Sequence, residues 1–172
     1  VITPTGYMGA INETLTIDGM TQPGAVANSA TPAQGGLNGT IVIEISGVNC
    51  AGCNFPIGLG LTSGEVTFRG LAISHFPAPI NLASASPATI RIEGCHIGTD
   101  VNGLTATGAQ NAIGFNSGVW SIGGTTPAKR NLIVAASSAI WTQSAASITV
   151  QGNLIGTTRD GLAPLPMSGD AI

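Results

Sequence analysis

Short apolar segments recur along this chain, and no long one occurs. Stretches rich in Ile, Val and Leu alternate with clusters of Gly, Asn, Thr and Ser, the pattern of short strands divided by turns. In the segment 88–93 (ATIRIE) the alternation directs Ile90 and Ile92 to one side and Arg91 and Glu93 to the other. Ten prolines and the absence of a sustained 3.6-residue period argue against helices.

The segments repeat. GCHIGTD at 94–100 returns as GNLIGTT at 152–158, so Gly94 and Gly152 stand 58 residues apart, and the turn signals Asn102-Gly103 and Asp160-Gly161 keep that spacing. A finer repeat aligns VTFRGLAI (66–73), ATIRIEGCHI (88–97), RNLI (130–133) and SITVQGNLI (147–155), which places Ile73, Ile97, Ile133 and Ile155 at one position. A second strand type aligns Ile57, Ile80, Ile113, Ile140 and Ile172, at intervals of 23, 33, 27 and 32 residues. The unit is therefore a coil of about 22–24 residues with insertions of variable length. One such coil cannot bury its own apolar face. Stacked coils can, with backbone hydrogen bonds running between them as parallel sheets. The expectation is an all-β solenoid, a single β-helix segment over 1–172. Residues 1–39 are expected to form an irregular first coil and an insertion, and 40–172 the stacked coils.

The motifs GNLIGTTRDG, GCHIGTDVNG, SIGGTTPAKRNLI (121–133) and TIDGMTQPG (16–24) resemble the right-handed parallel β-helix repeats of bacterial secreted and surface proteins, within the pectin-lyase-like superfamily. The resemblance runs from about residue 15 to the end; residues 1–14 and 25–39 match poorly. It implies a right-handed parallel β-helix, a secreted or cell-surface location, and an inward asparagine ladder at Asn131 and Asn153. It is specific for fold and not for activity, because such repeats serve in adhesins and surface layers as well as in polysaccharide lyases and hydrolases. The chain runs from Val1 to Ile172 in mid-pattern and reads as a piece of a longer protein.

Composition narrows the partners. Charged residues are 8% of the chain, against roughly 25% in an average soluble protein, and aromatics are 4%. Five Lys plus Arg and a net charge of −3 argue against a nucleic-acid partner, which needs a basic stripe. Every apolar run falls short of the roughly 20 residues of a spanning helix, so no membrane span is expected in this segment. Cys50 and Cys53 form one C-x-x-C, too few ligands for zinc but a candidate disulfide in an oxidising compartment.

Candidate chemistry gathers in the insertions 98–110 and 156–170. Both follow aligned Ile residues, so they are expected to project from one side and to wall a groove around Asp100, Asn102, Arg159 and Asp160. Calcium at Asp100 and Asn102 is the one cofactor weighed, since hard cations take oxygen ligands; otherwise no cofactor or metal is expected. Trp120 and Trp141 are candidate sugar-stacking platforms, with packing under a loop as the alternative. His75 and His96 read as structural. GLGLTSG (58–64) lacks the Lys of a phosphate loop, and the sequons at Asn12 and Asn38 matter only in a glycosylating host. The acids do not recur as a set, so no catalytic residues are assigned. The expected function is a structural or adhesive module that meets carbohydrate or another surface protein. The alternatives are a polysaccharide-binding or polysaccharide-degrading β-helix, and a self-assembling fibre or coat subunit that associates end to end.

Overall fold

The computed structural model describes residues 1–54, 58–59, 64–82, 88–142, 147–165 and 167–172. The aligned Ile57 and most of the glycine-rich segment 58–64 lie outside them. The chain winds past three faces in turn. The first face carries β2 (Leu15–Asp18), β5 (Glu65–Arg69), β8 (Thr89–Glu93), β11 (Val119–Gly123) and β14 (Ser147–Gln151). The second carries β3 (Ile43–Ser46), β6 (Leu71–Ser74), β9 (His96–Ile97), β12 (Leu132–Ile133) and β15 (Leu154–Ile155). On the third, β7 (Ile80–Leu82), β10 (Asn111–Phe115) and β13 (Ser138–Thr142) form one sheet, while β1 (Ala10–Ile11) and β4 (Gly58–Leu59) pair with each other. All strand pairings are parallel. Helix is confined to three 3₁₀ turns of three residues each among the described residues. The molecule is a parallel β-solenoid.

Register explains the periodicity. Ile73, Ile97, Ile133 and Ile155 stack in one inward column, which Ile45 extends by one coil. Ile80, Ile113 and Ile140 form a second column on the third face. Ile140 N–H donates to Ala171 O, which brings the last residues beside β13, although Ile172 itself is exposed. On the first face the inward positions run Val66, Ile90, Trp120 and Ile148. Burial is complete in the middle coils and falls off in β14, where Ile148 is 37% exposed against 0% for Ile90.

Asparagine serves as core where the second face begins. Asn131 is fully buried. Its Oδ1 accepts from Cys95 N–H at 2.8 Å, and its Nδ2 donates to Ile92 O at 2.8 Å and to Asn153 Oδ1 at 2.9 Å. Asn153 repeats the motif one coil on, donating to Ile122 O. The earlier coils place Leu71 and Cys95 here, so the ladder has two rungs. Burial pushes the Cys95 thiol up to about 12, which leaves it an inert packing group.

The outward charges are less free than alternation alone suggests. Arg91 pairs with Glu65 at 3.0 Å in a half-exposed position. Glu93, expected in solvent, is buried between Arg69 at 3.0 Å and Lys129 at 2.9 Å. Its register partner in the coil below is Arg69, and the 3₁₀ turn Pro127–Lys129 supplies the second cation from above. Burial alone would raise the Glu93 carboxyl; the hydrogen bonds from Lys129 and Arg69 outweigh it and hold the group below its ordinary value.

Residues 1–18 form the first coil, with Ile2 bridged to Ile45. The insertion that follows is a strap laid over the second face, closed at its base by an antiparallel bridge between Val26 and Thr40. Arg130, itself buried, donates to Ala30 O at 2.7 Å, Gly35 O at 3.0 Å and Gly36 O at 3.2 Å. Asn28 donates to Pro127 O, Leu37 N–H to Arg159 O, and the Leu37 side chain packs on Leu132 and Val134. A strap without repeat character is thus fixed to coils some 100 residues away in sequence.

Candidate functional site

The two aligned insertions fold alike. Each closes on an antiparallel bridge, Thr99 to Ala106 and Thr157 to Pro164, and each turns at a glycine of positive φ, Gly103 (67°) and Gly161 (72°). These are the glycines of the repeated Asn-Gly and Asp-Gly signals. The insertions project together and touch: Arg159 N–H donates directly to Gly103 O at 2.8 Å. The intervening coil passes from Ile133 to Ser138 without an insertion, and a small cavity lies there between Gly98, Ala106 and Ala109 on one side and Val134 and Ala136 on the other.

The carboxylates there are turn caps. Asp100 Oδ1 accepts from Leu104 N–H at 2.9 Å and Thr105 N–H at 2.8 Å. Asp160 Oδ1 accepts from the Thr158 hydroxyl at 2.6 Å and Leu162 N–H at 3.0 Å, bonds that hold the carboxyl below its usual range. Asn102 is exposed beside them, and Arg159 makes no ion pair among the described residues. No three His, Cys, Asp or Glu residues converge as a metal would require, among the described residues.

The two tryptophans part company. Trp120 is no platform: it is 1% exposed, stacks on Phe115 with centroids 4.4 Å apart, and donates its indole N–H to Ser117 O at 2.8 Å. It occupies the inward register of Ile90, and the short turn 116–118 gives its indole N–H the acceptor that a buried Trp requires. Trp141 faces outward and is 39% exposed, next to the bare backbone of Gly114. Cys50 and Cys53 are joined in a disulfide that closes a turn at the edge of the core.

His96 sits under the strap, beside a cavity of about 20 Å³ lined also by Met20, Leu37, Ile41 and Arg130, enough room for about one water. Burial lowers its pKa from 6.5 to about 4, against the opposing hydrogen bond with Val101 O. The folded chain therefore keeps His96 neutral while the unfolded chain takes up a proton below 6.5. Stability is full above that pH and is lost as pH falls towards about 4. At 1.36 kcal/mol per pKa unit the loss reaches about 3 kcal/mol. Denaturant unfolding at pH 7 and pH 4 should show this loss, and His96→Leu should show a correspondingly smaller one.

A polar cluster that sequence reasoning passed over lies at the far end of the second face. β3 and β6 hold Ser46 opposite Ser74. Ser74 Oγ donates to Glu44 Oε1 at 2.6 Å, and His75 Nδ1 lies 3.0 Å from both Ser46 Oγ and Ser74 Oγ. Glu44, Ser46 and Ser74 are buried, whereas His75 is exposed. Among the described residues His75 is the one non-glycine with a positive φ, at 58°. That conformation costs an L-residue about 1–2 kcal/mol and here folds the imidazole back over the two serines. The available signal was the likeness of Glu-Ile-Ser (44–46) to Ala-Ile-Ser (72–74), which puts Ser46 and Ser74 in one register.

Compared with protein-family models, curated proteins and solved structures, the chain matches none.

Proposed function

We propose that this chain is a structural or adhesive module of a secreted or cell-surface protein, built as a right-handed β-helix of the pectin-lyase-like kind. The observation that carries the reading is the use of the insertion carboxylates. Asp100 and Asp160 cap their own turns, so the rigid rod offers outward faces instead of an acid-lined cleft. Right-handedness rests on the near-universal hand of parallel crossovers and on the repeat motifs. The extracellular location is supported by the Cys50–Cys53 disulfide, since such bonds persist in oxidising compartments. The surface that meets carbohydrate, or a protein of another surface, is the outer third face at Trp141, where an indole plate stands beside Gly114 and Asn81.

A panel of immobilised polysaccharides tests this. Retention on at least one member is expected, reduced about tenfold or more by Trp141→Ala, with no new chain ends released. That factor corresponds to about 1.4 kcal/mol, the scale of a lost aromatic contact. Cleavage of glycosidic bonds, or retention indifferent to Trp141, contradicts the reading.

A further inference from the structure

We propose that Ser46, with His75 as its base, is a nucleophile for acyl transfer from carboxylic esters of small acyl groups. This goes beyond the scaffold role and does not depend on it. Ser74 has one hydroxyl hydrogen and gives it to Glu44 at 2.6 Å. Ser74 therefore cannot donate to His75. The proton that a neutral His75 Nδ1 can accept is that of Ser46, whose oxygen lies 3.0 Å away. Nucleophile and base are thus within hydrogen-bond reach.

The second contact completes the arrangement. Once His75 has taken the Ser46 proton, its Nδ1–H lies 3.0 Å from both serine oxygens and is shared with Ser74 Oγ, which itself donates to the buried Glu44 side chain. Ser74 can thus accept from the protonated ring while it donates to Glu44, which stands one hydrogen bond behind the base. The scaffold holds this geometry: parallel register fixes the serines on adjacent strands, and the left-handed backbone of His75 aims the ring. Gly47 leaves the room for it. A Cβ there would run into His75 O and stand 2.8 Å from the Phe76 ring.

The chemistry balances with water as co-reactant. Ser46 Oγ bonds to the ester carbonyl carbon as its proton passes to His75 Nδ1, and the carbonyl electron pair moves onto oxygen. That pair returns as the ester C–O bond breaks, and His75 hands its proton to the departing alcohol. Water attacks the acyl-serine in the same manner, with His75 taking and returning a proton, and releases the carboxylic acid. His75 is exposed whereas Ser46 is only 3% exposed, so the site admits nothing larger than a small acyl group presented from outside.

The test uses the full chain with p-nitrophenyl acetate, followed by p-nitrophenolate release and peptide mass mapping. The expected result is an acetyl group on Ser46 and a rate lost in Ser46→Ala. His75→Gly should lower the rate about 100-fold or more, as loss of a general base does. Glycine accepts the positive φ, so this variant keeps the backbone fold, and added imidazole should restore part of its rate. Equal rates in the parent and Ser46→Ala, or an adduct mapped elsewhere, overturn the proposal. If Ser46→Ala does not fold, the adduct map of the parent and the imidazole rescue of His75→Gly decide it.

Discussion

Replacing Asn131 by Leu is expected to destabilise the chain by about 2–6 kcal/mol, although Leu71 fills the equivalent place two coils earlier. Leucine suits that coil because nothing there depends on a side-chain amide. In the Asn131 coil, Cys95 N–H and Ile92 O both rely on it. Cys95 N–H would be left unpaired in the core and Ile92 O would lose a donor, at roughly 1–3 kcal/mol each. Asn153→Leu should cost less, because Asn153 lies in the partly exposed last coil. Urea midpoints of the two variants measure the difference, and equal midpoints would mean that the ladder is decorative.

Truncating Ile97 to Ala is expected to cost about 4 kcal/mol, within the usual range for emptying a core position. Ile97 is 0% exposed, with Ile73 on one side and Ile133 on the other. A solenoid has no slack there: each inward residue touches its own column above and below, and the strand spacing fixes the gap that remains. The same change at Ile155, half-buried in the last coil, should cost about half as much. Thermal or denaturant unfolding that ranks the two in reverse would contradict the column.

What the chain disclosed in advance followed from where its information is local. The Ile columns were legible because strand period and coil period act on the same residues, so Ile73, Ile97, Ile133 and Ile155 could be aligned without coordinates. The Asn-Gly and Asp-Gly turns were legible for the same reason. The sequence leaves Trp120 open between a sugar platform and packing under a loop, because only the turn at Ser117 shows how its N–H is satisfied inside. The direct contact between the insertions, Arg159 N–H on Gly103 O, was not legible because insertion length says nothing of how the loops meet across the intervening coil. The strap at 25–39 has no repeat to read, and its anchor, Arg130, bonds to backbone carbonyls that carry no sequence signature. The Glu44, Ser74 and His75 cluster depends on a register that only the likeness of Glu-Ile-Ser to Ala-Ile-Ser announces, and on a left-handed histidine, which has no local pattern.

Consecutive coils stack in parallel and in register. Paired cysteines test it most directly. Ser121 and Thr149 face outward on β11 and β14 and are register partners. Neighbouring strands lie about 4.8 Å apart, within disulfide reach. Ser121→Cys with Thr149→Cys should cross-link under mild oxidation, read as a mass loss of two hydrogens and a linked peptide. Ser121→Cys with Ser147→Cys, shifted by two residues on the same face, should stay reduced. Equal cross-linking of the two pairs, or linkage of the shifted pair alone, would contradict the stacked register on which this account rests.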